Sequence, residues 1–579
     1  MLLFLNCSQF FQSFDMVSKT AEQMLGIFPM SEYETIIKES HEALRLAAEQ
    51  FEAGTLPPDS LKKVSAPLGI YQQSNGLFMA RIRVPGGFLT PALMRKIAQI
   101  AKLHGAGFLH LTTRQDVQAH GLKPLALYPF VRDCTESGLP FRGGGGDTFR
   151  NIICSDGAGM SPDAVFDIFP HVMALNNFLL RYQRAYSLPR KFKPGFSSSS
   201  HDEQFAKLQD LGFSAHTLHG KHGFTVYGGG GMGRVSAPGV LLFDFLPEDQ
   251  ILKCAAAMVN LFDEHGDRSD RSRARIRFIV AKMGHDAFRS LFLDYFAKTD
   301  APLAEIASTP LYLRETKVPQ TVKSASENQA FREWLSHASR PSRGAGPEPC
   351  CELSFFPKNG NLSPDDFSGM ASLAEECGVL IVQVSRRQRL IFPALPSCAL
   401  PFVHESLLGS RFSARLDAAG LDGLFTSCIG ASVCKIGMLD APSIACAAAA
   451  GLERFLASWD GGAPDQLRQK LLSSVRFSGC HNSCGVHLTS ALGFQGLKRK
   501  VNDEMKELCR VFVARHAENS TLSEPVEGLE VPVANVPAVI CSIVADYASS
   551  DAFRHGQSFA DFVCSATKER IAALAAQSQ

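Results

Sequence analysis

Two pairs of cysteines stand late in the chain, each set among small residues: Cys428 and Cys434 in TSCIGASVCKIG, Cys480 and Cys484 in SGCHNSCG. Thiolates are soft ligands suited to zinc or to iron–sulfur clusters. Zinc knuckles use shorter paired spacings that fold two sulfurs round one small ion. Here the gaps are five and three residues, filled largely with Gly, Ala, Ser and Asn. Small residues let backbone N–H groups approach the inorganic sulfides of a cubane, which is bulkier than one ion. The second gap also differs from the Cys-x-x-Cys spacing of a dithiol redox pair.

A second group of residues is basic. HLTTRQDVQAH reads as part of one strand running from Phe108 to His120. Strand side chains alternate faces, so His110, Thr112, Arg114, Asp116, Gln118 and His120 line one face. A water-facing strand usually carries Lys, Glu and Thr, whereas this mixture suits a polyanionic ligand. Arg81 and Arg83 share a face in MARIRVPGG, and Lys191 and Lys193 do so in LPRKFKPGF with Arg190 pointing the other way. Arg150 follows a glycine run in FRNIICSD. Arg268, Arg271 and Arg275 fit a surface helix or a nucleic-acid patch equally. YGGGGMGR (227–234) lacks the Lys-Ser/Thr ending of a P-loop and the full G-x-G-x-x-G context, so it reads as close backbone approach to a flat cofactor or as a turn.

These residues need elements to hold them. Residues 30–53 read as an amphipathic helix, broken by TLPPDS (55–60). A strand at Leu77–Val84, a Pro-Gly-Gly turn and a helix from Pro91 to about His104 precede the Phe108–His120 strand. After a Ser/Pro/Gly/Arg-rich linker, SHASRPSRGAGPEP (336–349), the pattern restarts. Residues 76–122 are echoed by 351–395: strand, turn, helix, then a strand with an Arg-Gln pair, Arg114-Gln115 in one copy and Arg387-Gln388 in the other. Two copies of one unit predict a pseudo-two-fold protein. The second copy reads as having lost most of the polar residues of the first.

With 579 residues the chain exceeds one core and predicts three or four domains. A net charge of +1 exerts no global pull toward nucleic acid or membrane. No run of apolar residues is long enough to span a bilayer. The N-terminal MLLFLNCSQFFQSFDM is apolar but lacks a basic leader and a cleavage site, so it reads as an unstructured extension or as preceding a start at Met16, in preference to a weak signal peptide. Sixteen cysteines scattered through a long chain fit a reducing compartment, hence the cytoplasm, better than a disulfide framework.

Taken together, the motifs RVPGG, LTTRQDVQAHG, FRNIICSD, LPRKFK, GGGMGR, Cys-x5-Cys and Cys-x3-Cys resemble, in order and over roughly residues 70 to 500, the sirohaem-dependent sulfite/nitrite reductase family. The resemblance implies two cofactors, sirohaem and a [4Fe–4S] cluster. By it, Cys428, Cys434, Cys480 and Cys484 are the cluster ligands and Cys484 also bridges to the sirohaem iron. It places Arg83, Arg150, Lys191 and Lys193 round the distal face, as the residues that attract the anion and deliver protons. Thr112, Arg114, Gln118, His120, Arg190 and Arg234 are then candidates to hold the carboxylates of sirohaem.

The fold it implies is α+β: a pseudo-two-fold repeat of ferredoxin-like strand–helix–strand units plus two α+β domains for sirohaem and cluster. The corresponding divisions are a helical extension (1–60), the first half-domain (61–145), a sirohaem-binding domain (146–335), the linker (336–349), the second half-domain (350–420), a cluster and sirohaem domain (421–520) and a C-terminal helical extension (521–579). The implied reaction is the six-electron reduction of sulfite to sulfide, favoured by Lys193 where nitrite-reducing members tend to carry Asn, with nitrite to ammonia as the alternative. The single chain resembles the assimilatory type. It shows no flavin or nicotinamide motif, which implies a separate ferredoxin or flavoprotein donor, with neither nucleic acid nor membrane as partner. One departure is His481, which stands where the family has Pro. Cys509, Cys541 and Cys564 have no ferredoxin-type spacing, so no second cluster is expected. A cluster-bearing regulatory protein without turnover and a zinc-stapled nucleic-acid protein are the rival readings.

Overall fold

The computed structural model describes residues 34–306, 322, 329–343, 349–408, 425–459, 464–471, 474–514, 522, 524–566 and 568–577. Its architecture is mixed α+β and starts from two half-domains that complete one another. One five-stranded sheet runs Ile70–Gln72, Phe78–Ile82, Val117–Leu122, Phe108–Leu111 and Asn361–Leu362. The other runs Ser339–Ser342, Cys350–Phe355, Leu390–Pro396, Val382–Val384 and Phe88–Leu89. Each sheet therefore ends in a two-residue strand lent by the other half.

The crossings explain the glycines before the lent strands. A Cβ on Gly87 (φ +80°) would lie 2.1 Å from the carbonyl oxygen of Val384. A Cβ on Gly360 (φ +72°) would lie 2.9 Å from that of Leu111. Only glycine tolerates both the left-handed backbone and the approach. Each lent strand leads into a helix built alike, Pro91–Leu103 after Thr90 and Pro364–Glu376 after Ser363. Both hydroxyls accept from the backbone N–H three residues on, at 3.1 and 3.0 Å, with proline at the first helical position. The two helices pack on each other, tied by Arg95 to Glu375 and by Lys102 to Asp365.

The segment 108–120 corrects the sequence reading. It is not one strand but a hairpin, Phe108–Leu111 and Val117–Leu122, closed by the turn 112–116. The Thr112 hydroxyl accepts from the N–H groups of Arg114 (3.2 Å) and Asp116 (2.9 Å), and Gln115 takes φ +60°. The side chains of the turn consequently leave the alternating register, and Arg114 sits at the tip. His110 and Gln118 remain cross-strand neighbours, as do Phe108 and His120. The second copy makes the same turn: Arg387 N–H donates to the Ser385 hydroxyl at 2.9 Å and Gln388 takes φ +61°. Its tip, Ser385 to Arg389, is wholly polar, contrary to the expected loss of polar residues.

Two further sheets carry the rest. Pro194–Ser197, Leu211–Leu218, Lys221–Gly228 and Val240–Pro247 form a four-stranded sheet; Phe425–Ser427, Val475–Ser478, Leu492–Val501, Glu504–Val513 and Glu524–Pro532 form a five-stranded one. The segment 521–579, expected to be helical, thus opens with a strand that completes this sheet. The helix after it, Val536–Ala548, packs against Ala441–Ala457. The segment 336–349 likewise holds the end of a helix and the Ser339–Ser342 strand, paired to Cys350–Leu353. Of the 1–60 extension, the described part contains the helix Glu34–Glu52; residues 1–33 lie outside the described residues. One apolar core joins both half-domains to the four-stranded sheet, and a second lies under the five-stranded sheet. No described helix is long and apolar enough to cross a membrane.

Candidate functional site

The two cysteine pairs meet because two short strands are parallel and adjacent. Phe425–Ser427 and Val475–Ser478 run side by side in register, and each opens at its C-terminal end into a loop carrying one pair. Cys428 N–H donates to the Phe477 carbonyl at 3.1 Å, which fixes one loop on the other strand. The approach needs glycine: a Cβ on Gly485 would lie 1.8 Å from the Phe477 oxygen and 3.0 Å from Cys428 N. Ser483 (φ +55°) and Val486 (φ +59°) bracket Cys484 in left-handed backbone. For β-branched valine this is a strained conformation, costing about 1–3 kcal/mol, of the kind that collects at working sites.

Polar hydrogens already point at the sulfurs. Gly479 N–H donates to Cys428 Sγ at 3.1 Å and the Asn482 amide to Cys480 Sγ at 3.5 Å. Burial, with a charge on Cys484 next in importance, pushes the Cys428 thiol up to about 12. Burial also raises Cys434 and Cys480, and Cys484 acts on both. Cys484 itself is exposed, on the side facing the basic residues. Among the described residues no three of His, Cys, Asp and Glu converge tightly enough for a single metal ion. Cys484 acts on all three of the other thiols, and four thiols brought together from Cys-x5-Cys and Cys-x3-Cys loops suit a cubane.

The basic wall is built on the four-stranded sheet and the loop 142–154. Arg150 N–H donates to the Phe192 carbonyl at 2.7 Å, so FRNII and RKFK run together. Phe149 and Phe192 go into the core, which leaves Lys191 and Lys193 on the opposite side from Phe192. Arg83 lies over the Phe149 ring at 4.0 Å and donates to the Arg142 carbonyl at 3.2 Å. Arg150 donates to the carbonyls of Gly145, Thr148 and Gly146 at 2.8–2.9 Å, held by the glycine run. Arg114, at the hairpin tip, donates to Asn151 O (2.6 Å), Pro194 O (2.9 Å) and Gln209 Oε1 (3.0 Å). Thr113 beside it donates to the Cys484 carbonyl at 2.7 Å, joining the wall to the thiol loop.

This wall is short of anions. Burial depresses its cations, with repulsion between them added and Asp116 and Asp210 offsetting part of it at Arg114: Lys191 to about 7, Arg114 to about 9 and Arg150 to about 10. Lys193 falls well below the usual lysine range from burial and from Lys191, Arg114 and Arg275. Within it, buried guanidinium atoms of Arg83 (Nε, Nη1), Arg114 (Nε) and Arg277 (Nε, Nη1) have no hydrogen-bond partner. Buried unpaired charge is costly, so the wall is built for an anionic guest. A tetrapyrrole rich in carboxylates, with a small oxyanion beside it, satisfies that demand.

The other sequence-derived candidates divide. Arg190 faces Asp147 at 3.5 Å. Gln118 and His120 form an internal network with Arg81, the Gln118 amide being oriented with oxygen toward Arg81 and nitrogen toward His120. His110 turns into the contact with the second half, bonding Asn361 at 2.7 Å, and burial holds it at about 4. Arg234 is exposed, whereas Arg275 and Arg277 come within 3.0–3.1 Å of a Cβ placed on Gly231. The glycine run therefore makes room for these two arginines. Arg268 and Arg271 are exposed, paired to Asp263 and Asp147. Sequence reasoning missed Arg277, Asn151, Gln209 and Asp210. Arg277, two residues after Arg275 at the start of a helix, was the one with a visible signal.

Comparison with known proteins gives matches along most of the chain. The nitrite/sulfite reductase ferredoxin-like half domain matches residues 71–136, and the nitrite and sulphite reductase 4Fe-4S domain matches residues 145–299. The four cysteines lie beyond both segments. A ferredoxin–nitrite reductase of Synechococcus elongatus is 27% identical over 77% of this chain and 82% of its own length. The sulfite reductase [NADPH] hemoprotein beta-component of Acidithiobacillus ferrooxidans is 26% identical over 72% of this chain and 74% of its own length. The structure of Mycobacterium tuberculosis NirA shares the fold, with a TM-score of 0.72 at 20% identity, covering 92% of this chain and 97% of that one.

Proposed function

Because the chain belongs to the nitrite and sulfite reductase family, whose cofactors are sirohaem and a [4Fe–4S] cluster, we propose that it reduces sulfite to sulfide by six electrons. Cys428, Cys434, Cys480 and Cys484 would hold the cluster, with Cys484 also reaching the sirohaem iron. When bound, the pair supplies one-electron chemistry at a metal that retains the anion throughout. Arg83, Arg150, Lys191 and Lys193 draw the anion in, the arginines as fixed charges and the lysines as proton donors. Lys191, which burial and the neighbouring Arg275 and Arg150 bring down to about 7, is placed to give and regain a proton near neutral pH. Thr112, Arg114, Gln118, His120 and Arg190 are the residues to hold the carboxylates, with Arg275 and Arg277 better placed than exposed Arg234. The observation that carries this reading is a wall of depressed, under-neutralised cations facing the Cys484 loop.

Lys193 supports sulfite, the anion able to carry two charges, through a second nearby ammonium. Nitrite to ammonia is the second reading, supported by relatives named ferredoxin–nitrite reductase from Synechococcus elongatus and Spinacia oleracea. The names of the relatives support a ferredoxin or an NADPH-linked flavoprotein as donor. The test is kcat/KM for both anions on cofactor-loaded protein and on Lys193→Asn. The variant is expected to shift the ratio toward nitrite; an unchanged ratio defeats the sulfite assignment.

A further inference from the structure

Asp210 stands out among the residues facing the cation wall: it is fully buried (0% exposed), it is acidic, and nothing in the mechanism above uses it. Its carboxylate takes three hydrogen bonds from Arg275, Nη2 at 2.8 and 2.9 Å and Nε at 3.2 Å. The same carboxylate accepts the backbone N–H of Lys193 at 2.8 Å. Its own N–H donates to the Lys193 carbonyl at 3.0 Å, and its carbonyl accepts Gly229 N–H at 2.9 Å. One residue thereby locks the lysine strand, the arginine before the helix Ile276–Met283 and the glycine loop to one another.

We propose that Asp210 is a positioning residue that holds Lys193 and Arg275 as one rigid unit and supplies a buried counter-charge that favours the ammonium form of Lys193. The inference rests on the reductase reading only for the use made of that ammonium. The charged groups acting on Lys193 are Lys191, Arg114, Arg275 and Asp210, three cations against one anion. Asp210 also stabilises the charge on Arg277 and, after Asp116, that on Arg114. Both carboxylate oxygens accept, one from Arg275 alone and the other from Arg275 and Lys193 N–H, so Asn, with one acceptor oxygen, disturbs geometry as well as charge. The two roles separate in a variant that also removes the Arg275 guanidinium, because the remaining Asn oxygen still serves Lys193 N–H while the net charge beside Lys193 is kept.

The experiment is competitive acylation of Lys193 across a pH series, read by peptide mass spectrometry on the full-length chain with and without its cofactors. It compares wild type, Asp210→Asn, Asp210→Glu and the double variant Asp210→Asn/Arg275→Met. Losing the carboxylate should lower the Lys193 inflection by about one pH unit or more, a roughly tenfold drop in protonated fraction at fixed pH. Asp210→Glu should restore it. The double variant, which removes one charge of each sign, should move it back toward wild type and keeps the test open where the single variant does not fold. An inflection unmoved in folded Asp210→Asn, or one that falls equally in the double variant, overturns the proposal. A shifted inflection in a chain that reduces neither anion leaves the role of Asp210 standing and fails the reductase reading instead.

Discussion

Replacing Lys191 by Met should change how the stability of the cofactor-free chain depends on pH. The Lys191 ammonium lies beside Arg275, Arg150 and Arg190 in a partly desolvated position, and its pKa falls from 10.5 to about 7. At about 1.36 kcal/mol per unit this amounts to at most about 5 kcal/mol of penalty on the charged form. Because the amine is half-buried, solvent screening trims the figure to about 2–3 kcal/mol. The sign follows from proton counting. Between pH 7 and 10.5 the unfolded chain keeps the proton that the folded chain has released, so folding gains stability as pH rises through that window. Methionine has no such proton. Urea midpoints taken from about pH 6.5 to 9.5 should show Lys191→Met more stable than wild type at the acid end, with the gap closing by the alkaline end. A gap that stays constant with pH would refute the reasoning.

Cys484→Ser should abolish anion-dependent turnover while the other three cysteines remain, and normal six-electron turnover in that variant would remove the bridging role. Gly485→Ala pushes a methyl group against the Phe477 carbonyl, so iron and acid-labile sulfide per chain should fall with a stability loss of about 1–3 kcal/mol; full iron content contradicts this. Arg386→Leu removes the guanidinium from Asp202 (2.7 Å) and Asp156 (3.9 Å), where the second hairpin meets the loop 154–157 and the turn Ser200–Asp202, and leaves those carboxylates only hydroxyl and backbone donors. Urea denaturation should report a loss of about 3–5 kcal/mol, and one below about 1 kcal/mol would show that the pair is not a clamp.

The cysteine spacing was legible because each pair sits in a single loop, and the glycines around it announce close approach. The repeat was legible from its order of strand, turn, helix and strand and from the Arg-Gln pairs. The hairpin at 108–120 was not, since no Gly, Pro or Asn marks its turn; a threonine hydroxyl and Gln115 at positive φ do that work. The lent strands escaped notice because two residues are too few to show a period. Asp210 lies far along the chain from Arg275, and only packing brings the two together. Arg476, 3% exposed and depressed to about 9 by burial and by Arg387 and Arg386, was hidden for the same reason.

The most direct test of the central claim is the electron count. Full-length protein loaded with sirohaem and cluster should oxidise six reduced methyl viologens for each sulfite consumed and release sulfide, or six for each nitrite with release of ammonia. Protein that carries both cofactors yet oxidises no viologen with either anion, or stops at two electrons per anion, would contradict it.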